Sequence, residues 1–415
     1  MVIRPLPWPA VKNEQPDNVA HGESTAPVRE VLLLCWRDSD HPQGGGSERY
    51  LERIGAELVR DGVRVTLRTA GYPGAARTEI RDGIRVSRGG GRLSVYPRAL
   101  AAIVAGRLGR GPMAGLDPDV VIDTQNGIPF FARWVMRAPV VVLVHHCHRR
   151  QWPVAGAAMG RIGWFIESRL SPWVHRDSQY LTVSLPSAED LVSLGVDAGR
   201  VSVVRAGTDP SPHVDVEPDP RRLVVLSRLV PHKQIEHALE VMAQLATTHP
   251  DVTLDVVGDG WWSTRLRERA TELGVDRRVS FHGHVSESDK HRILAGSALH
   301  LMPSQTEGWG LAVVEAAGHG VPTIGYRSSR GLTDSVVDGV TGLLVDDLDE
   351  LVSATAELLD EPARCRELGD KARERAGDYS WSAAAARVKY VLAETVSGRR
   401  VSGLVRDRVP HRVSP

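Results

Sequence analysis

From residue 28 onward the chain repeats one unit: a short apolar run, a loop, then a helical stretch. Such runs fall at 31–36, 63–69, 120–123, 140–144, 180–183 and 201–204, with a helical pattern at 47–60 between the first two. Strands that are apolar on both faces must be covered on both, and alternation with helices means a parallel sheet of crossover units. The series breaks at 208–220. The stretch 207–220 holds four prolines, three aspartates and a glutamate, with almost nothing to bury, and reads as a linker. A second series follows at 223–227, 253–257, 279–281, 299–302, 323–326 and 343–345, with helices expected at 235–246 and 261–273. The expected fold class is therefore α/β, with two Rossmann-like, doubly wound domains (27–207 and 221–380) facing across a cleft. A last helix at 381–397, with Val388, Tyr390, Val391 and Leu392 as its packing face, is expected to cross back to the first domain.

Composition narrows the function. A chain of 415 residues is too long for one ordinary core. Its 51 basic and 51 acidic residues cancel, which argues against nucleic acid as a partner. Cys35, Cys147 and Cys365 are odd in number and far apart, so they form no disulfide framework and fit a reducing cytosol. Residues 1–26 lack the apolar centre of a signal peptide and read as a disordered leader, and the Arg-rich 398–415 as a loose tail. No run approaches the roughly 20 apolar residues that span a bilayer. The expected location is the cytoplasm, with peripheral contact at the inner face of the membrane left open. Arg92, Arg98, Arg107 and Arg110 frame the apolar run 100–104, and 152–170 adds two tryptophans. Both stretches read more readily as ordinary core-facing helices.

The densest chemistry lies in Met302-Pro303-Ser304-Gln305-Thr306-Glu307-Gly308-Trp309-Gly310-Leu311-Ala312-Val313-Val314-Glu315. Here a strand ends, a glycine loop turns, and a helix is expected to begin near Trp309. Gly308 and Gly310 let backbone amides approach a ligand, and a helix start favours a diphosphate. Glu307 and Glu315 are good acceptors for sugar or ribose hydroxyls. After the first strand of the second series come Arg228 and Lys233, cations that can clamp two phosphates. Gly258-Asp259-Gly260 forms a tight strand-to-helix turn, and Gly44-Gly45-Gly46 precedes a helix with Ser47 as the expected N-cap.

In these residues the chain resembles the retaining GT-B glycosyltransferases of family 4. Their signature is a Glu, seven residues and a second Glu, after Pro-Ser and around Gly-aromatic-Gly, as in Glu307 to Glu315 here. The resemblance implies a GT-B fold and transfer of a sugar, with retention, from a UDP- or GDP-sugar to a hydroxyl acceptor. It implies no metal and no other cofactor. By the same resemblance Arg228 and Lys233 take the donor diphosphate, Glu315 the ribose and Glu307 the sugar hydroxyls. Gly45 and Gly46, Gly258 and Gly260, and the segment Gly308, Trp309, Gly310 and Leu311 surround the donor. His284 and Val285 stand beside its base. His145, at the end of the run 140–144, faces the donor sugar, while His146 points the other way and serves packing. The family usually has Gly where this chain has Gln234. It commonly has Gly-Gly-x-x-Glu where this chain has Arg330-Gly331-Leu332-Thr333-Asp334.

Other readings fare worse. The glycine loop is neither Gly-x-Gly-x-x-Gly nor a phosphate loop ending in Gly-Lys-Ser/Thr, which sets aside dehydrogenases and P-loop enzymes. Asp38-Ser39-Asp40 imitates the metal-binding Asp-x-Asp of GT-A transferases but follows the first strand of a two-domain chain, so it reads as a polar loop. His145, His146, Cys147 and His148 invite a metal, yet neighbours on an emerging strand point apart. Two rivals remain open: a noncatalytic sugar-nucleotide-binding subunit, and a GT-B-type epimerase or phosphorylase.

Overall fold

The computed structural model describes residues 27–149, 151–152 and 156–405. The expected leader lies outside them. The first sheet comprises β1 (Glu30–Leu34), β2 (Arg64–Thr69), β3 (Thr78–Arg81), β4 (Ile84–Arg88), β5 (Val120–Thr124), β6 (Val140–Val144), β7 (Gln179–Thr182) and β8 (Val201–Val203). The second comprises β9 (Asp219–Leu226), β10 (Thr253–Val257), β11 (Val279–Gly283), β12 (Ser297–Met302), β13 (Thr323–Tyr326) and β14 (Gly342–Val345). A final strand, β15 (Gly403–Leu404), returns to the first sheet. The orders are β15-β8-β7-β6-β5-β1-β2-β4-β3 and β11-β10-β9-β12-β13-β14. Every pairing is parallel except β3 with β4.

Both domains follow from burial on two faces. β1, β5 and β6 are buried along their whole length, as their unbroken apolar runs require. The closing helix, Trp381–Val396, packs against Gly46–Arg60 of the first domain: Trp381 meets Tyr50 edge-on at 6.3 Å, and Lys389 pairs with Asp61 at 2.8 Å. Val388, Val391 and Leu392 enter the first core, whereas Tyr390 stays 38% exposed.

Three details depart from expectation. The hairpin β3–β4 was not foreseen, because its short strands alternate polar and apolar residues at a sheet edge. Residues 398–405 are not a loose tail, since Gly403 and Leu404 pair with Ser202 and Val203; residues 406–415 lie outside the described range. The expected linker 208–220 gives its last two residues to β9, and Thr208 is tied to the carbonyl of Tyr379.

Candidate active site

In a doubly wound sheet, ligands bind beyond the carboxyl ends of the strands, where the winding reverses. The second sheet reverses between β9 and β12, and the first between β1 and β5. The loops after β9 and β12 carry the basic pair and the first glutamate. Gln305 N donates to the carbonyl of His232 at 2.9 Å, joining the two loops. Lys233 Nζ donates to Glu307 Oε1, and both side chains are largely buried. Arg228 has no carboxylate partner among the described residues; its Nη1 reaches only the carbonyl of Gln43, at 3.4 Å. Burial, and then the charge of Arg37, push its pKa down. An anion would relieve both.

The glycines after β10 shape this wall by close backbone packing. A Cβ on Gly258 would stand 1.9 Å from the Ser227 carbonyl, and one on Gly260 would stand 2.2 Å from that of Leu229. Gly258 and Gly260 thus hold the Arg228 segment. Gln234, where the family usually has Gly, adopts the left-handed region at φ +48 before the helix Ile235–Gln244. A side chain there is strained, which gives the family's glycine a physical reason.

The opposite wall is the loop after β1. The helix is Gly46–Arg60 and its N-cap is Gly45, not Ser47. Glu48, whose side chain is fully buried, accepts from Gly45 N at 2.9 Å, from Arg37 Nε at 2.8 Å and from Asn126 Nδ2 at 3.1 Å. A Cβ on Gly45 would lie 3.1 Å from Arg228 Nε, and one on Gly46 would lie 3.1 Å from Leu311 Cδ1. The glycine loop therefore faces the basic segment directly, with Arg37 as a third cation beside it.

Across the donor loop the expectations divide. Gly308 abuts the first domain: a Cβ there would stand 2.8 Å from the His145 carbonyl. Gly310 has φ +96 and precedes the helix Leu311–Ala317, which starts two residues later than expected. The Trp309 side chain belongs to the core; it is 3% exposed and packs edge-on against Tyr379 at 4.9 Å. Glu315 accepts from Arg49 Nη1 and from Lys290 Nζ, both at 2.9 Å. Arg49 also pairs with Asp209 at 3.0 Å, so it links the helix Gly46–Arg60 to the second domain. At the end of β11, His284 is exposed and Val285 packs beside Val224 and Val257.

After β6 the four residues 145–148 separate. His145 is 8% exposed, its ring edge-on to Tyr50 at 5.3 Å, and neither ring nitrogen has a partner. Burial lowers its pKa to about 4. His146 is not a packing residue turned from the cleft: with Cys147 and Arg149 it lines a cavity of about 200 Å³, faced from the second domain by Thr306, Glu307 and Arg330. The strand's register is as expected, but the chain turns immediately after it. Glu167, in a π-helical turn (Ile166–Leu170), holds that turn by accepting from His148 N and from Trp152 Nε1, and its Oε1 also lies 3.0 Å from His148 Nδ1.

Asp38 and Asp40 are engaged by arginines: Asp38 meets Arg88 at 2.6 Å and Asp40 meets Arg81 at 2.9 Å. The loop 330–334 runs beside the donor loop, where the Arg330 backbone bridges to Glu307, and it also joins the domains. Arg330 pairs with Glu189 at 2.9 Å and Asp334 with Arg205 at 2.6 Å. Arg37, Glu48, Arg49, Lys290 and Glu167 were not foreseen. Only Glu48 left a local signal, an acidic residue three after a helix N-cap.

The comparisons with known proteins agree with this fold. The model described as "Glycosyltransferase Family 4" matches residues 44–212, and the one described as "Glycosyl transferases group 1" matches 212–375. A GDP-mannose-dependent alpha-(1-6)-phosphatidylinositol monomannoside mannosyltransferase from Mycolicibacterium smegmatis is 29% identical, covering 89% of this chain and 99% of that one. An MMP alpha-(1->4)-mannosyltransferase from Mycolicibacterium hassiacum is 31% identical, covering 72% and 74%. Among solved structures, sucrose-phosphate synthase from Thermosynechococcus elongatus superposes with a TM-score of 0.74 at 20% identity, covering 89% and 100%. Anabaena Alr3699/HepE in complex with UDP-glucose gives 0.67 at 20%, covering 89% and 99%. The two sheets with their facing switch points are the GT-B fold, and the chain belongs to the family 4 glycosyltransferases.

Proposed function

We propose that this glycosyltransferase moves a sugar from a nucleoside-diphosphate-sugar, UDP- or GDP-linked, to a hydroxyl acceptor, with retention and without a metal ion. The observation that carries the reading is Arg228, a largely buried guanidinium without a carboxylate, facing Gly45 across the cleft beside Lys233 and Glu307. As the bond from the anomeric carbon to the diphosphate oxygen breaks, negative charge grows on the leaving group. Fixed cations in the cleft stabilise that charge without the need for a bound ion. Amides of the Gly308–Gly310 turn add donors. Lys233 shares its ammonium between Glu307 and phosphate, which leaves Glu307 acceptor capacity for sugar hydroxyls. Glu315, already held by Arg49 and Lys290, is aligned for the ribose. His145 brings two unpaired ring nitrogens to the edge of the donor loop. The leaving phosphate itself takes the acceptor's proton, so retention needs no protein base. Names of relatives support a nucleotide-sugar donor: one specifies GDP-mannose, and one solved neighbour holds UDP-glucose.

Calorimetric titration with UDP and GDP tests the donor side: one of them binds wild type, and failure of both sinks the reading. No helix among the described residues is long and apolar enough to cross a membrane. We place the protein in the cytoplasm with peripheral membrane contact. The supporting patch is Met159, Ile162, Phe165 and Trp173, which are 47%, 58%, 58% and 65% exposed. The run 100–104 supports it less, since Ala102 and Ile103 are buried. Sedimentation with anionic vesicles checks this; an Ile162→Asp, Phe165→Asp variant that sediments like wild type would refute it.

A further inference from the structure

The first sheet also holds a buried cation that the donor site does not use. Arg68 lies near the end of β2, the direct neighbour of β1, and is 4% exposed. Of the five N–H donors of a guanidinium, one is engaged among the described residues, from Nη1 to Ser87 Oγ at 2.9 Å. Nε is buried and has no partner among the described residues. Among the described residues no carboxylate pairs with Arg68. The charged neighbour that acts on it is another cation, Arg98, and burial and then Arg98 push its pKa down. Buried charges are normally paired, and one that faces a like charge is unfavourable until an anion joins them.

The surroundings suit an anion. The guanidinium lies over the backbone of Gly89, where a Cβ would stand 2.4 Å from Nη2. From there the loop 89–91 leads into the helix Val95–Arg107, at whose start Ser94 Oγ accepts from Gly91 N, Val95 N donates to the Gly91 carbonyl, and Pro97 carries no N–H. The oxygens of a phosphate can accept from both guanidiniums together.

We propose that Arg68 and Arg98, with the loop 89–91, bind a phosphate ester carried by the acceptor, so that the sugar is transferred to a phosphorylated alcohol. This rests on the donor reading above, which assigns the other wall of the cleft to the nucleotide.

The test is calorimetric titration of the full chain with sn-glycerol 3-phosphate, and of vesicles containing phosphatidylinositol against vesicles of phosphatidylcholine alone. Wild type, Arg68→Met, Arg98→Ala and Lys233→Ala are compared, with UDP and GDP titrated in parallel. A phosphate probe should bind wild type and Lys233→Ala alike, bind Arg98→Ala about 10- to 100-fold more weakly, and fail to bind Arg68→Met. The Tm of Arg68→Met should hold or rise, because an uncompensated buried charge is gone. Arg68-dependent binding of glycerol phosphate marks a soluble acceptor, and Arg68-dependent binding of phosphatidylinositol vesicles alone marks a lipid one. The proposal is overturned if neither probe binds wild type, if Arg68→Met binds as wild type does, or if binding is lost with Lys233→Ala instead. Failure of both nucleotides would sink the donor reading separately.

Discussion

Replacing Lys233 by Ala perturbs two things that the geometry allows to be separated. In the free protein the ammonium neutralises Glu307, and the two side chains are 13% and 9% exposed. Truncating one partner of a fully buried pair costs about 3–5 kcal/mol; at the rim of a cleft, where water reaches the survivor, about 1–3 kcal/mol is the reasonable scale. In the complex, a charged hydrogen bond to phosphate is worth roughly 1.5–3 kcal/mol, or about 10- to 150-fold in affinity. The double variant Lys233→Ala, Glu307→Ala should recover most of the lost stability, because no unpaired carboxylate remains, yet should not recover nucleotide affinity. Denaturant unfolding and calorimetry with UDP and GDP read the two effects independently. Unchanged nucleotide affinity in Lys233→Ala would refute the diphosphate assignment, however unstable the variant.

Further outcomes follow from the same geometry. His145→Ala should cut turnover by about 10²-fold with nucleoside diphosphate affinity nearly intact, whereas His146→Ala, on the cavity wall, should raise the acceptor KM; steady-state kinetics decide, and a near-normal rate for His145→Ala refutes the placement. Turnover should persist in EDTA, and its abolition with recovery in Mn²⁺ or Mg²⁺ would require Asp38 and Asp40 to leave their arginines. Buried His175 and His300 are each lowered to about 4, below the unfolded value of about 6.5. The unfolded chain then binds more protons, so stability present above about pH 6.5 is lost as pH falls toward 4, by about 2 kcal/mol per histidine at pH 5. Denaturant midpoints at pH 7 and 5 measure this, and His300→Gln should flatten the slope; an unchanged slope counts against it.

What could be read from the amino-acid order was whatever is local. The segment from Met302 to Glu315 joins a strand, a turn and a helix, so its chemistry survives in one stretch of sequence. Glu48 and Arg49 come from one helix, Arg37 from the loop after β1 and Lys290 from the second domain, and only tertiary packing brings them together. Trp309 shows the opposite error. The Gly-aromatic-Gly pattern suggested a ligand contact, but the indole fills the seam beside Tyr379, Gly310 packs on Leu332 and Val313, and it is Gly308 that meets the first domain, at His145. His146 misled through a two-residue period that ends where β6 ends, after which Glu167 directs the chain. β15 escaped because two residues pairing through their backbone leave no side-chain pattern.

The central claim is transfer with retention from a nucleotide sugar, in the absence of a metal. Its most direct test is to incubate the full chain in EDTA with GDP-mannose or UDP-glucose and acceptor extract, follow nucleotide release, and read the product's anomeric configuration by NMR. The account predicts acceptor-dependent release of nucleoside diphosphate and an α-linked product from the α-linked donor. An inverted product, or nucleotide release that needs no acceptor or needs free phosphate, would contradict it.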